Sequence, residues 1–201
     1  YFCMRPETER YLDLARLGRN DWWRYVLGAA TVGFFWIVLG YGPYAVLAGA
    51  GPVMDPLLEF VAINLSIFMM LAGVAVTVKW IHRRPLMSLV SPDLRVDWRR
   101  VRRGAAAWLV LSVAMTVAEH LLFPGRYYLS YNPDRFYPFL ASVLLLPTLQ
   151  AATEELVFRG YLMQGVGLIT RRPWVIAVTS SIVFTLPHLM NPEAFRYGVA
   201  I

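Results

Sequence analysis

The sequence predicts an all-α fold, a polytopic bundle of transmembrane helices with about five spans. Three observations carry that prediction. Of the 201 residues 58% are apolar and only 16% charged, against roughly 45–50% and about 25% in an ordinary soluble domain. Residues 25–54, 60–78 and 104–118 carry no charge at all, and the first run exceeds the ~20 residues that cross the hydrocarbon layer of a bilayer. The basic residues gather between the runs: Arg83, Arg84, Arg95, Arg99, Arg100, Arg102 and Arg103 lie between the second and third. A soluble enzyme is excluded by this composition.

Residues 1–24 form an amino-terminal cytoplasmic arm, in which Arg5, Arg10, Arg16 and Arg19 mix with acids as in a short polar helix. Residues 1–20 contain no apolar core of a signal peptide. Residues 25–201 are the transmembrane domain, and Asp21-Trp22-Trp23-Arg24-Tyr25 has the aromatic and basic character of a membrane interface. The second span ends at Lys79 and Trp80; the third continues past Glu119 and His120 to Phe123. The arginine-rich loop between them faces the cytoplasm by the positive-inside rule, and so does the amino terminus. In this loop the arginines act as a topological signal, with lipid or partner binding as the functional alternative; His82 is read as solvated there.

A fourth run, 136–153, contains Pro147, which removes a backbone donor and would kink the helix. The helical pattern then turns polar through Glu154, Glu155 and Arg159, and reaches Gly165 and Gly167. Arg171-Arg172-Pro173 reads as a turn before a fifth run, Trp174–Met190. The ending Val199-Ala200-Ile201 reads as the start of a further segment, so more spans are expected in the full protein.

The net charge of +6 belongs to topology and anionic headgroups rather than to nucleic acid. Cys3 is the single cysteine, so neither an internal disulfide nor a zinc cluster is expected. The chemistry is sought where ionisable groups enter apolar segments, at a cost of about 2.5–3.5 kcal/mol each. Glu155 and Arg159 stand four apart with the acid first, the favourable order for a helical ion pair. Pairing leaves Glu154, rotated about 100° around the helix, as the carboxylate available for chemistry. Phe184 and His188 are also one turn apart. About 17 residues separate Glu154 from the predicted turn, and about 17 separate the turn from His188, so an antiparallel pair brings the two level. A carboxylate and an imidazole in an apolar site can serve as general base for water and as general acid or oxyanion donor. No serine or cysteine occupies a nucleophile motif. No cofactor is expected; a divalent metal is the alternative reading of Glu plus His, although it needs further ligands. Glu119-His120 fits an interfacial role near the end of the third span.

The two motifs together, Glu154-Glu155-x-x-x-Arg159 and Phe184-x-x-x-His188, resemble the signature of the CAAX protease and bacteriocin-processing (CPBP, or Abi) family of intramembrane proteases. Pro147-Thr-Leu-Gln150, Phe158-Arg159-Gly160-Tyr161-Leu162, Pro92-Asp93 and Trp98 are similar to that family as well, over roughly residues 83–192. The resemblance implies a site within the bilayer in which Glu154 activates water, His188 is the first catalytic histidine, and Glu155, Arg159 and Phe184 support them. It also implies a membrane-associated or prenylated protein or peptide as substrate, and a bacterial inner membrane as location. The family's second histidine and its asparagine have no counterpart here: no histidine follows His188, and Asn191 stands too close to it. Two readings therefore stand side by side, an active endopeptidase and a catalytically silent subunit of a larger membrane complex; a transport role is third.

Overall fold

A computed structural model describes residues 6–49, 55–126 and 131–189. Cys3, Asn191 and the apolar ending at Ile201 lie outside the described residues. Helix α1 (Pro6–Asp13) passes through a 3-10 turn (Leu14–Leu17) into α2, which is α-helical over Trp22–Gly33, widens to π turns over Phe34–Tyr41 and closes as α-helix over Gly42–Gly49. Then follow α3 (Pro56–Ile81), α4 (Trp98–Leu122), α5 (Pro133–Ile169) and α6 (Pro173–His188). Among the described residues there is no strand. The all-helical membrane architecture expected from composition is the one observed: α2, α3, α4 and α5 are each long and apolar enough to cross a bilayer. The fifth run forms α6, whose 16 residues extend about 24 Å, short of the ~30 Å hydrocarbon core.

Local chemistry starts the helices. The Asp55 carboxylate accepts the N–H groups of Leu57 (2.9 Å) and Leu58 (3.3 Å), with Pro56 in the first turn. Asp97 caps α4 through Arg99 (3.0 Å) and Arg100 (3.1 Å), and Asn132 caps α5 through Asp134 (3.0 Å). The helix α5 continues through both Pro138 and Pro147.

Helix α3 lies at the centre, packed against α2 and α5, while α6 packs on α5. Lipid is as apolar as the side chains, so helices associate through close packing and polar bonds rather than hydrophobic burial. Gly73 permits this: a Cβ there would meet Val32 Cα at 3.0 Å and Phe35 Cβ at 2.9 Å. Val32, Met70, Val74, Val78, Leu89, Val157, Phe158 and Tyr161 form the core cluster. Helix α4 stands apart, with no buried residue.

The arm docks on the end of the bundle that carries the α5–α6 turn. Leu12 and Ala15 are buried, and Asp13 accepts from Arg171 in that turn at 2.5 Å. Two loop residues also turn inward. His82, expected in solvent, is fully buried, and Arg84 is buried beside it. The reason is the end of α3: Arg83 adopts φ 55°, and the Arg84 N–H bonds back to the Val78 carbonyl at 3.1 Å. This bond reaches back six residues, one more than in a Schellman closure, after the π turns that end α3, and it folds the chain onto the helix instead of into water. The His82 ring lies 4.6 Å from that of Tyr25 and 5.4 Å from that of Tyr161. Its Nδ1–H donates to the Arg19 carbonyl (2.8 Å), and its Nε2 accepts the Tyr161 hydroxyl (2.9 Å). Burial holds its pKa below the usual histidine value, with the neighbouring Arg84 and Arg24 acting in the same direction. Arg84 donates to Gln164 Oε1 (2.6 Å), and Gln164 Nε2 donates to the carbonyls of Ser88 (2.7 Å) and Tyr11 (3.2 Å). The Tyr11 phenol, pushed up to about 12 by burial, stays protonated and donates to the Leu89 carbonyl at 2.7 Å.

Candidate functional site

The long helix α5 changes pitch where the motif begins. It is α-helical over Pro133–Glu154, π-helical over Glu155–Leu162 and α-helical again over Met163–Ile169. Wider π turns leave carbonyls able to take additional donors and recur at functional sites. The Phe158 carbonyl accepts both its own helix's Met163 N–H and the Ser180 hydroxyl of α6, the latter at 3.0 Å. The motif segment is thereby tied across the hairpin to the helix that carries His188.

Glu154 and Glu155 diverge around this helix. The Glu155 carboxylate pairs with the Arg159 guanidinium, and both side chains are more than half exposed on the outer face. Glu154 is half-buried and turns inward. Its Oε1 accepts a hydrogen bond from Gln150 Nε2 at 3.0 Å, one helical turn earlier. His188 sits at the far end of α6, with its Nδ1 2.9 Å from the Phe184 carbonyl. A carbonyl only accepts, so this nitrogen carries the proton, and Nε2 of the neutral ring is left as an acceptor. The Phe184 ring holds the imidazole from one side, with centroids 4.6 Å apart, and meets Phe158 edge-on at 5.3 Å.

Glu154 lies fifteen residues before Ile169 and His188 fifteen after Pro173, so both sit roughly 22 Å along their helices from the turn. They line one cavity of about 270 Å³. Gln150 joins them on its polar side, Phe158 of α5 and Pro187 of α6 are apolar neighbours, and Trp36 of α2 with Ile63, Ile67 and Met70 of α3 form an apolar wall. The hairpin thus brings Glu154, Phe184 and His188 together at one place and directs Glu155 and Arg159 away from it. Among the described residues, no third His, Cys, Asp or Glu joins Glu154 and His188 in a metal-binding group. Glu119, by contrast, pairs with Arg126 at 2.7 Å near the end of α4.

The sequence reading missed Gln150 as a partner of Glu154. An amide four residues before a carboxylate on one helix face was the available signal. The Trp36, Ile63, Ile67 and Met70 wall comes from spans about a hundred residues upstream, and nothing local marks it.

Comparison with known proteins bears on this site. Residues 135–201, which hold both motifs, match the family model of Rce1-like type II CAAX prenyl endopeptidases. This segment belongs to the CPBP family. Over 140 residues the chain is also 31% identical to YyaK of Bacillus subtilis (strain 168), an uncharacterised protein. That similarity covers 69% of this chain and 47% of YyaK, so the chain spans about half the length of the curated relative it matches. No solved structure matches it. With this family match over residues 135–201 and four helices suited to crossing a bilayer, the chain is an integral membrane protein.

Proposed function

We propose that the protein is an intramembrane endopeptidase of the CAAX protease type, in which Glu154 activates the attacking water. One observation carries the reading: the acidic residue of one motif and the histidine of the other, 34 residues apart in sequence, line a single half-open, apolar-walled cavity formed by α2, α3, α5 and α6. The Glu154 carboxylate takes a proton from water as the oxygen bonds to the scissile carbonyl carbon. The tetrahedral intermediate then collapses, the C–N bond breaks, and the same proton passes to the leaving amine. With its proton on Nδ1, His188 accepts a hydrogen bond from the attacking water at Nε2 and orients it toward the carbonyl carbon. Gln150 holds Glu154 in place, and the Glu155–Arg159 pair neutralises the two remaining charges of the motif. The Trp36, Ile63, Ile67 and Met70 wall suits a membrane-associated or prenylated protein or peptide as substrate, with no cofactor. The arm and the arginine-rich loop face the cytoplasm, in a bacterial inner membrane.

The test compares new peptide termini in membranes of cells carrying the wild-type protein or Glu154→Gln at equal abundance. Loss of the protein-dependent termini, by more than about a hundredfold for a general base, is the expected result. Cleavage that persists with Glu154→Gln refutes the assignment.

A further inference from the structure

The amino-terminal turn of α4 carries four arginines, which divide into two sets. Arg100 pairs with Asp97 at 3.2 Å. Arg99, Arg102 and Arg103 are exposed, and their guanidinium groups have no partner among the described residues. Their spacing is i, i+3, i+4, so the three fall within an arc of about 100° on one helix face. Like charges at this spacing repel one another, and no carboxylate among the described residues pairs with them. The same arc continues along the helix through Ala106, Val110, Val113 and Val117, all exposed. Trp98, 67% exposed, precedes the arginines as an interfacial anchor. At 1.5 Å per residue, Arg99–Arg103 occupy about 6 Å immediately outside the apolar run, which matches the roughly 5–7 Å depth of one headgroup layer.

We propose that this face of α4 is a binding site for an anionic phospholipid. The arginines Arg99, Arg102 and Arg103 hold the phosphate-bearing headgroup, and an acyl chain lies along Ala106, Val110 and Val113. Charge complementarity identifies an anion, and the unbroken apolar stripe on the same arc selects a lipid over a soluble phosphate or an acidic peptide. Because α4 has no buried residue, the contact also accounts for how a span with so little protein packing is held at a defined depth. The proposal is independent of the peptidase reading.

The experiment measures co-purified lipid by native mass spectrometry after reconstitution of the protein in phosphatidylglycerol or in phosphatidylcholine. The expected result is preferential retention of phosphatidylglycerol, lowered by about a hundredfold in the Arg99→Gln, Arg102→Gln, Arg103→Gln variant if each side chain contributes about 1 kcal/mol additively. The corresponding triple lysine variant, which keeps the charge, retains most of the lipid. Far-ultraviolet circular dichroism checks that each variant is folded. Should the glutamine variant not fold, the wild-type protein at about 1 M salt, where the Debye length is about 3 Å, must show the same loss. Equal retention of both lipids, or unchanged retention in a folded glutamine variant, overturns the proposal. Displacement of phosphatidylglycerol by millimolar inorganic phosphate or by a polyglutamate peptide overturns it too, since the occupant would then be a soluble anion.

Discussion

Replacement of Tyr161 by Phe tests whether the arm, the α3–α4 loop and the motif helix are joined through one buried histidine. The substitution removes the hydroxyl that donates to His82 Nε2 at 2.9 Å and leaves that nitrogen without a partner in a ring that is 0% exposed. An unsatisfied buried acceptor costs about 1–3 kcal/mol. For a chain of this size that corresponds to a thermal shift of about 2–12 °C, measured by tryptophan fluorescence in detergent at pH 8. His82→Leu combined with Tyr161→Phe removes both partners, so the double variant loses less than the sum of the single ones. The same histidine sets a pH dependence. Its folded-state pKa lies below the unfolded value because burial, Arg84 and Arg24 all disfavour the cation. The unfolded chain therefore binds more protons: stability is full above about pH 6.5 and is lost as the pH falls below it and through the lowered folded value. The arm and loop thus loosen on acidification. An unchanged melting temperature in Tyr161→Phe, or an acid-side decline that persists unaltered in His82→Leu, refutes the reasoning.

Two further outcomes follow from close contacts on α5. Gly28→Ala places a Cβ 2.3 Å from the Tyr161 hydroxyl oxygen and 2.6 Å from Thr77 Cγ2; the overpacking costs about 1–3 kcal/mol, and the melting temperature recovers in part when Tyr161→Phe removes the hydroxyl. Glu155→Gln leaves Arg159 as an unpaired charge within a membrane helix, with a loss of up to about 2.5–3.5 kcal/mol, whereas Glu155→Gln with Arg159→Gln is less damaging than either alone. Insertion efficiency and thermal stability check this, and additive losses would show that the pair is not coupled.

Much of the fold was legible because its signals are local. Charge-free runs marked α2, α3 and α4 to within a few residues, and the i, i+4 order of Glu155 and Arg159 anticipated their pairing. Counting along the hairpin at a fixed rise anticipated that Glu154 and His188 stand level, because a helix converts sequence distance directly into length. The solvated reading of His82 failed for a specific reason. Its neighbours Arg83 and Arg84 look like a loop in water, but the left-handed turn at Arg83 folds the chain back onto α3. The partners that then bury His82, namely Arg19, Tyr25 and Tyr161, come from three separate segments.

By itself, the sequence determined the membrane-helical class, the Glu155–Arg159 pairing that leaves Glu154 available, and the two motifs on facing helices, because periodicity and residue chemistry act over one or two turns. Only the tertiary structure decided that Trp36, Ile63, Ile67 and Met70 wall the cavity, and that His82 and Arg84 are buried. These depend on how helices far apart in the chain approach one another, and in a bilayer close packing and polar bonds set that approach, with no hydrophobic burial to announce it in the sequence pattern.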